Sequence, residues 1–211
     1  MSLERDQLAD ILVDWCGANL DPDNFTVRFT RPGLQIDLGA IGKGFALERA
    51  AQILRELGIT SALLHGGTST VCAIGHPPDA PAWNIGIDTP PARSHKSAPP
   101  KTPILAVIPL RDTSLSVSAV WGKSFAARGQ TFGHVIDPRS GKPTRRAQLA
   151  AIVHPSATTS DALSTALLTL GPPGLKLLLN HYPELQALIA REPRSGQTPR
   201  VTTHGIVPRA A

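Results

Sequence analysis

The chain has 211 residues, which is enough for one good-sized domain with a buried core. Its 41% hydrophobic and 18% charged residues are typical of a folded protein, and its 18 glycines and 20 prolines favour an α+β protein over a helical bundle. The net charge of +5 suits an anionic partner. The cations form no long run, however, and no aromatic residues alternate with them, which argues against nucleic-acid binding.

The N-terminal residues, the longest apolar stretches and the cysteines bear on where in the cell the protein is located. The N-terminal residues include acids and lack the apolar segment of a signal peptide, and no stretch approaches the roughly 20 apolar residues of a membrane span. From the sequence as written we therefore expect a cytoplasmic protein without a membrane span. Cys16 and Cys72 are too few for a disulfide framework and match no zinc-site spacing.

The first third of the chain is predicted to contain two helices and a hairpin. Residues 3–19 have helical apolar spacing, and residues 24–36 are predicted to form a hairpin that turns at 31–33. A glycine-rich loop at 37–44 then leads into a helix that ends at Gly58. The apolar face expected for this helix comprises Ala46, Ala50, Ile53, Leu54 and Leu57.

Short strands and two further helices are predicted for the rest of the chain. The expected strands are 59–65, 70–75, 83–88, 104–110, 115–120 and 149–154, and the expected helices are 160–170 and 173–181. Residues 89–103 are rich in proline and are predicted to form a surface loop, and residues 191–211 are predicted to be a flexible tail. Regular βαβ units are absent, so a Rossmann domain is not expected, and residues 1–190 are predicted to form a single domain.

The loop at 37–44 has features of a phosphate-binding turn. A glycine-rich loop that enters a helix exposes backbone N–H groups at the positive end of the helix dipole. Lys43 adds a full positive charge, and Asp37 offers an acceptor for a hydroxyl-bearing ligand. The alternative is an ordinary turn whose glycines serve only close packing. The P-loop pattern is absent.

Two further segments contain residue types suited to catalysis. His134 precedes a short apolar strand that breaks at Asp137, and an imidazole at a sheet edge can act as a general base. Asp161 and Thr165 are four residues apart on one helix face, and their oxygens are of the kind that Mg²⁺ binds. The alternatives are a partly buried histidine beside a turn, and ordinary helix-start residues at Ser160 and Asp161.

The order of these segments resembles the ApbE family of FAD:protein FMN transferases. The matching motifs are D-x-x-A-x-x-K-G from Asp37, Gly-Gly at 66–67, H-x-I-D-P-R-[TS]-G from His134 and D-x-x-x-T from Asp161. The similarity extends from about Gln35 to Gly171, and the histidine motif is the most distinctive part. It implies an α+β fold with mixed or antiparallel sheets flanked by helices around a T-fold-related core.

The resemblance also implies an activity and a set of site residues. The activity would be Mg²⁺-dependent transfer of FMN from FAD to a Ser or Thr hydroxyl of a target flavoprotein, with release of AMP. The alternatives are hydrolysis of FAD to FMN and AMP, and FAD binding without transfer. His134 would be the base. FAD would be bound by Asp37, Lys43, Gly66, Gly67 and Ile136, and Mg²⁺ by the backbone carbonyl of Ala40 and by Asp161, Ser164 and Thr165.

The chain departs from the family pattern in a few places. Ser140 replaces a usual threonine, Ser164 stands where some members have a second acid, and Thr68 stands where an acid is frequent. Only 36 residues precede Asp37, whereas family members usually have well over a hundred. We therefore expect much of the N-terminal FAD-cradling part to be missing. Many relatives are exported and lipid-anchored, so an upstream extension would imply a periplasmic location.

Overall fold

The computed structural model describes residues 17–90, 104–121, 124–127, 130–192 and 199–206. Their strands are β1 (Ala18–Asp21), β2 (Thr26–Phe29), β3 (Ala62–Gly66), β4 (Thr70–Ile74), β5 (Trp83–Asp88), β6 (Ile104–Leu110), β7 (Ser114–Ala119), β8 (Ser124–Ala127), β9 (Gln130–Gly133), β10 (Ile136–Asp137), β11 (Lys142–Pro143), β12 (Leu149–His154), β13 (Gln186–Arg191) and β14 (Arg200–His204). Their helices are α1 (Gly42–Glu56), α2 (Ala157–Leu170) and α3 (Pro172–His181). The expected α+β class is confirmed.

A six-stranded antiparallel sheet in the order β14-β13-β12-β7-β4-β3 forms the centre of the fold. Alternate residues of β12 point to opposite faces. Leu149 and Ala151 join the core that includes the β5–β6 hairpin, and Ala150 and Ile152 join the core beneath α2 and α3. Because both faces of β12 are covered, its sequence is a continuous apolar run rather than an alternating one.

Helix α1 covers β3 and β4 and contacts α2, but not through the predicted face. Its buried residues are Gly44, Leu47 and Ala51, whereas 51% of Ile53 and 73% of Leu57 is exposed. The helix faces α2 at close range, so small residues occupy the contact and its apolar side chains are spread around the rest of the helix. The predicted helix is present; it begins at Gly42, within the predicted loop, and ends at Glu56, two residues before the predicted stop at Gly58.

The N-terminal predictions fare less well. Residues 1–16 lie outside the described part of the chain, and residues 18–19, predicted to be helical, belong to β1. The hairpin consists of β1 and β2 and turns at 22–25, so the hairpin predicted at 24–36 was wrong. A turn is present at 32–33, but it joins no strand pair among the described residues. The carboxylate of Asp21 accepts hydrogen bonds from the N–H groups of Asp23 and Asn24, both at 3.1 Å, which stabilises the turn at 22–25.

The later strands and helices follow the predictions closely. Helix α2 begins three residues early, at Ala157, because the Ser156 hydroxyl accepts the N–H of Thr159 at 3.1 Å. Residues 186–191 and 200–204 form β13 and β14, two paired strands that the sequence did not predict. β14 lies within the segment expected to be a tail, and all five of its residues are exposed. Most of the predicted 89–103 loop lies outside the described residues.

Candidate active site

A cleft of about 980 Å³ opens where the 37–44 loop, the β3–β4 turn, β7, α2 and the 134–136 segment meet. One part of its wall is polar and includes Asp37, Lys43, Ser118, His134, Asp161 and Thr165. Another part is apolar and includes Ile87, Val117, Trp121, Val135 and Leu149. The cleft therefore suits a ligand that combines charged groups with a ring system.

The cleft contains nearly all the residues that the sequence selected. It is lined by Asp37, Ala40, Lys43, Gly66, Gly67, His134, Ile136, Asp161 and Thr165. Ser164 is the exception, since it is fully buried behind the wall. Its hydroxyl lies 2.8 Å from that of Ser118 and donates to the carbonyl of Asp161 at 2.9 Å. The fold thus gives Ser164 a structural partner and does not bring it to the cleft surface.

Asp161 is the most completely bonded group at the site. Its side chain is only 4% exposed, and Oδ2 accepts the backbone N–H of Gly44 at 2.9 Å. Gly44 lies in the first turn of α1, where backbone N–H groups have no carbonyl partner within the helix. The Asp161 carboxylate takes this donor instead, and Ala40 lies at the cleft surface. The part of the Ala40 carbonyl as a ligand stays a prediction.

Hydroxyl groups behind Asp161 form a network that the sequence analysis missed. Asp161 Oδ1 accepts hydrogen bonds from Ser116 at 3.0 Å and from Thr70 at 3.2 Å. The Ser118 hydroxyl lies 2.9 Å from that of Thr165. The available signal was the alternation of serines at 114, 116 and 118, which places three hydroxyls on one face of a strand.

The loop before α1 brings two charged groups to the cleft. The Lys43 ammonium lies 3.6 Å from Asp161 Oδ1 and 3.4 Å from the Gly39 carbonyl, and its side chain is 42% exposed. The Asp37 carboxylate accepts the Gly39 N–H at 2.6 Å, which tightens the loop. In the β3–β4 turn, Gly67 has a φ of +70° and open space beside its Cα, so a ligand can approach the backbone there.

Glu48 joins the two helices beneath the cleft. Its carboxylate accepts the Thr158 N–H at 2.8 Å and the Ser156 hydroxyl at 2.7 Å, at the start of α2. Burial acts to raise the pKa of Glu48, but these hydrogen bonds outweigh burial and hold the pKa below its ordinary value. Each helix therefore supplies a carboxylate to the N-terminus of the other, Glu48 to α2 and Asp161 to α1.

His134 is exposed at the cleft, just before β10, and the residues after it form a rigid turn. The Arg139 guanidinium donates to both oxygens of Asp137, at 2.8 Å each, and also to the carbonyl of Thr169 near the end of α2. Hydrogen bonds from Arg139 hold the pKa of Asp137 below its usual value, against the opposite effect of burial. The ion pair closes the turn, and the hydrogen bond from Arg139 to Thr169 attaches it to α2.

The oxygen groups of the cleft fit a hard divalent cation. Among the residues that the structure describes, no three His, Cys, Asp or Glu side chains are grouped as a protein-only metal site. The donors are one carboxylate, one hydroxyl and one backbone carbonyl, from Asp161, Thr165 and Ala40. Mg²⁺ commonly takes few protein ligands and completes its shell with water and substrate phosphates. The ammonium of Lys43 beside Asp161 also indicates that this position accommodates positive charge.

Fold and cleft together define an α+β protein whose cleft has one polar and one apolar wall, and comparison with known proteins identifies its family. The sequence profile of the ApbE family matches residues 3–189. The FAD:protein FMN transferase of Treponema pallidum is 33% identical, over 77% of this chain and 45% of its own length. The chain belongs to the ApbE family.

Solved structures show the same fold. The ApbE protein of Thermotoga maritima superposes with a TM-score of 0.72 at 26% identity, over 90% of this chain and 59% of that protein. The apo flavinyl transferase ApbE of Pseudomonas stutzeri gives a TM-score of 0.72 at 24% identity, over 97% of this chain and 60% of that one. The chain spans about half the length of the curated relatives it matches. None of the helices in the described part of this chain is long and apolar enough to cross a membrane.

Proposed function

We propose that this chain binds FAD with Mg²⁺ in the cleft and transfers the FMN part to a Ser or Thr hydroxyl of a target flavoprotein, releasing AMP. The observation that carries the proposal is the convergence of nine separately predicted site residues on one cleft. Relatives named FAD:protein FMN transferase support it. The polar wall suits the diphosphate, and the apolar wall around Trp121 suits the ring system.

Different residues of the cleft are assigned to different parts of the ligand. Lys43 attracts the diphosphate, Asp37 accepts hydrogen bonds from ligand hydroxyls, and Gly67 admits the ligand close to the backbone. A Cβ at Gly66 would lie 3.2 Å from Leu47 of α1, so the lack of a side chain there allows α1 to pack against β3. The main chain at Ile136 contacts the flavin nucleotide. Asp161, Thr165 and the carbonyl of Ala40 would hold Mg²⁺, whose charge neutralises the phosphates when it is bound. Ser164 lies behind the cleft wall, so we assign it a supporting role, in which its hydroxyl donates to the backbone carbonyl of Asp161.

His134 is the proposed general base. It takes the proton of the acceptor hydroxyl while the hydroxyl oxygen forms a bond to the phosphorus of the FMN half. The phosphorus–oxygen bond to the AMP half then breaks, and AMP leaves with the bridging oxygen. The fixed turn at Asp137 and Arg139 limits the movement of His134, which favours a constant geometry for the proton transfer.

The activity is tested by AMP release. Purified chain is incubated with FAD, Mg²⁺ and an apo-flavoprotein that offers a Ser or Thr acceptor hydroxyl, and AMP is measured by chromatography, with and without EDTA. We expect the wild-type chain to release AMP in the presence of Mg²⁺. EDTA should abolish AMP release, and so should each of the substitutions His134→Ala and Asp161→Ala. The control is His204→Ala, which removes an exposed histidine from β14, away from the cleft, and should not alter the rate. AMP release that survives both cleft substitutions would contradict the assigned roles.

A parallel titration separates binding from turnover. FAD is titrated against protein fluorescence, since Trp121 lies in the cleft wall. Quenching without AMP release would select FAD binding without transfer. AMP release in water, with free FMN and no acceptor present, would select hydrolysis. Absence of quenching would overturn the proposal as a whole.

A further inference from the structure

We propose that Thr70 and Ser116 are positioning residues that fix the Asp161 carboxylate for cation binding. The inference rests on the proposed function, because it assigns these hydroxyls a part in the same cation site. Both side chains are fully buried and neither lines the cleft, so they act on the site only through Asp161.

The sheet register brings the two hydroxyls together. Thr70 of β4 is directly opposite Ser116 of β7, and their oxygens lie 3.0 Å apart. Both donate to the same carboxylate oxygen, Asp161 Oδ1, at 3.2 and 3.0 Å. The other oxygen, Oδ2, accepts the backbone N–H of Gly44. Two neighbouring strands and a second helix therefore hold one carboxylate from behind.

These hydrogen bonds matter because the last torsion of an aspartate side chain is soft. Rotation about that bond has broad minima, so a carboxylate without partners presents its lone pairs in many directions. Donors on both oxygens select one orientation and leave one lone pair of Oδ2 for a ligand. Hydrogen-bond partners of a metal-binding carboxylate commonly change metal affinity by about 10–100-fold when they are removed.

Burial of these hydroxyls argues for a role beyond packing. A buried hydroxyl without a partner costs free energy, whereas valine or alanine would fill a sheet position without that cost. Thr70 and Ser116 find their partner in Asp161. By contrast, Ser114 lies two residues before Ser116 in β7 and is also fully buried, yet its hydroxyl has no hydrogen-bond partner among the described residues. Ser114 therefore serves as a control in the same strand.

The experiment measures Mn²⁺ binding to the full chain by electron paramagnetic resonance, alone and with FAD present. We expect Thr70→Val and Ser116→Ala to lower Mn²⁺ affinity by about 10–100-fold. Thr70→Ser, which keeps the hydroxyl, should retain nearly wild-type affinity, and so should Ser114→Ala. Circular dichroism establishes that each variant is folded, and Thr70→Ser and Ser116→Ala provide the comparison if Thr70→Val does not fold.

The outcomes separate the two proposals. Wild-type protein that binds no Mn²⁺, with or without FAD, would overturn the cation site and the positioning role together. Wild-type binding that is equally strong in Thr70→Val and Ser116→Ala would overturn the positioning role alone. An equal loss in Ser114→Ala would also overturn it, because the effect would then arise from packing of β7 rather than from contact with Asp161.

Discussion

Asp161 and Glu48 each accept a backbone N–H at the start of a helix to which they do not belong. Asp161 of α2 binds the N–H of Gly44 in α1, and Glu48 of α1 binds the N–H of Thr158 in α2. A carboxylate at a helix N-terminus satisfies an otherwise unpaired donor and interacts favourably with the helix dipole. These two reciprocal hydrogen bonds couple the position of Asp161, which is expected to bind the cation, to the packing of α1 against α2.

Glu48 gives a pH-dependent prediction at the residue scale. Because its pKa is lower in the folded protein than the ordinary 4.5, its stabilising effect is complete above pH 4.5 and is lost as the pH falls below that value. We expect Glu48→Ala to reduce the free energy of unfolding by about 1 kcal/mol at pH 7. The difference from wild type should shrink as urea unfolding is repeated at lower pH.

A control for this prediction lies in the same helix. The carboxylate of Glu56 is exposed at the end of α1 and accepts a hydrogen bond from Gln52 of the same helix. Glu56→Ala should therefore change stability by no more than about 0.5 kcal/mol. A pH-independent loss in Glu48→Ala would show that packing of its side chain, rather than its charge, stabilises the α2 N-terminus.

At the scale of elements, the contact between α1 and α2 depends on Gly44. A Cβ at this position would lie 2.3 Å from the carbonyl oxygen of Ala157 and 2.7 Å from the Cβ of Asp161. Both atoms belong to the backbone or the root of a side chain and have little room to move. The glycine therefore allows the two helices to approach closely enough for Asp161 to reach the Gly44 N–H.

Gly44→Ala is expected to force the helices apart. We expect a loss of roughly 1–3 kcal/mol in the free energy of unfolding and weaker Mn²⁺ binding, because Asp161 would be displaced. Gly42→Ala is the matched control in the first turn of α1, since its added Cβ would meet only the Leu38 Cβ, at 3.8 Å. Thermal unfolding and Mn²⁺ titration of both variants check the prediction. Equal behaviour of the two would contradict the close-contact role of Gly44.

At the scale of the whole molecule, one sheet with two covered faces supports the cleft. The helices lie over one face, and the β5–β6 hairpin joins the core on the other. Ile152 is fully buried between the sheet and the helices, whereas Val201 on the edge strand β14 is 41% exposed. The cleft residues come from both helices of the α1–α2 pair and from the strand ends beside them, so the layers must pack correctly before the site exists.

The layered arrangement predicts a sharp contrast between two substitutions. Ile152→Ala should lower the free energy of unfolding by about 2–5 kcal/mol, because it removes a fully buried side chain between two layers. Val201→Ala should cost less than about 1 kcal/mol, because the edge position is largely exposed. Urea unfolding monitored by circular dichroism measures both. Similar losses at the two positions would contradict the assignment of β14 as an exposed edge.

The sequence by itself determined the family and the fold class, and it selected nine residues that line one cleft. Asp37 and Lys43 lie close together around the start of α1, and Asp161 and Thr165 lie on one face of α2, so local spacing made them candidates. The resemblance of the motif order to the ApbE family then selected them. Local spacing also predicted the apolar run of β12. Apolar spacing did not predict β13, which is buried on both faces, or β14, which is exposed throughout.

Only the tertiary structure decided how those residues are held together. Gly44 and Asp161 are 117 positions apart, Ser156 and Glu48 are 108 apart, and Ser116 and Asp161 are 45 apart. Hydrogen bonds between such distant residues leave no periodic trace in the sequence, because they depend on the pairing of strands and on the close approach of helices. For the same reason the sequence placed Ser164 at the cation site, whereas the fold turns it toward Ser118.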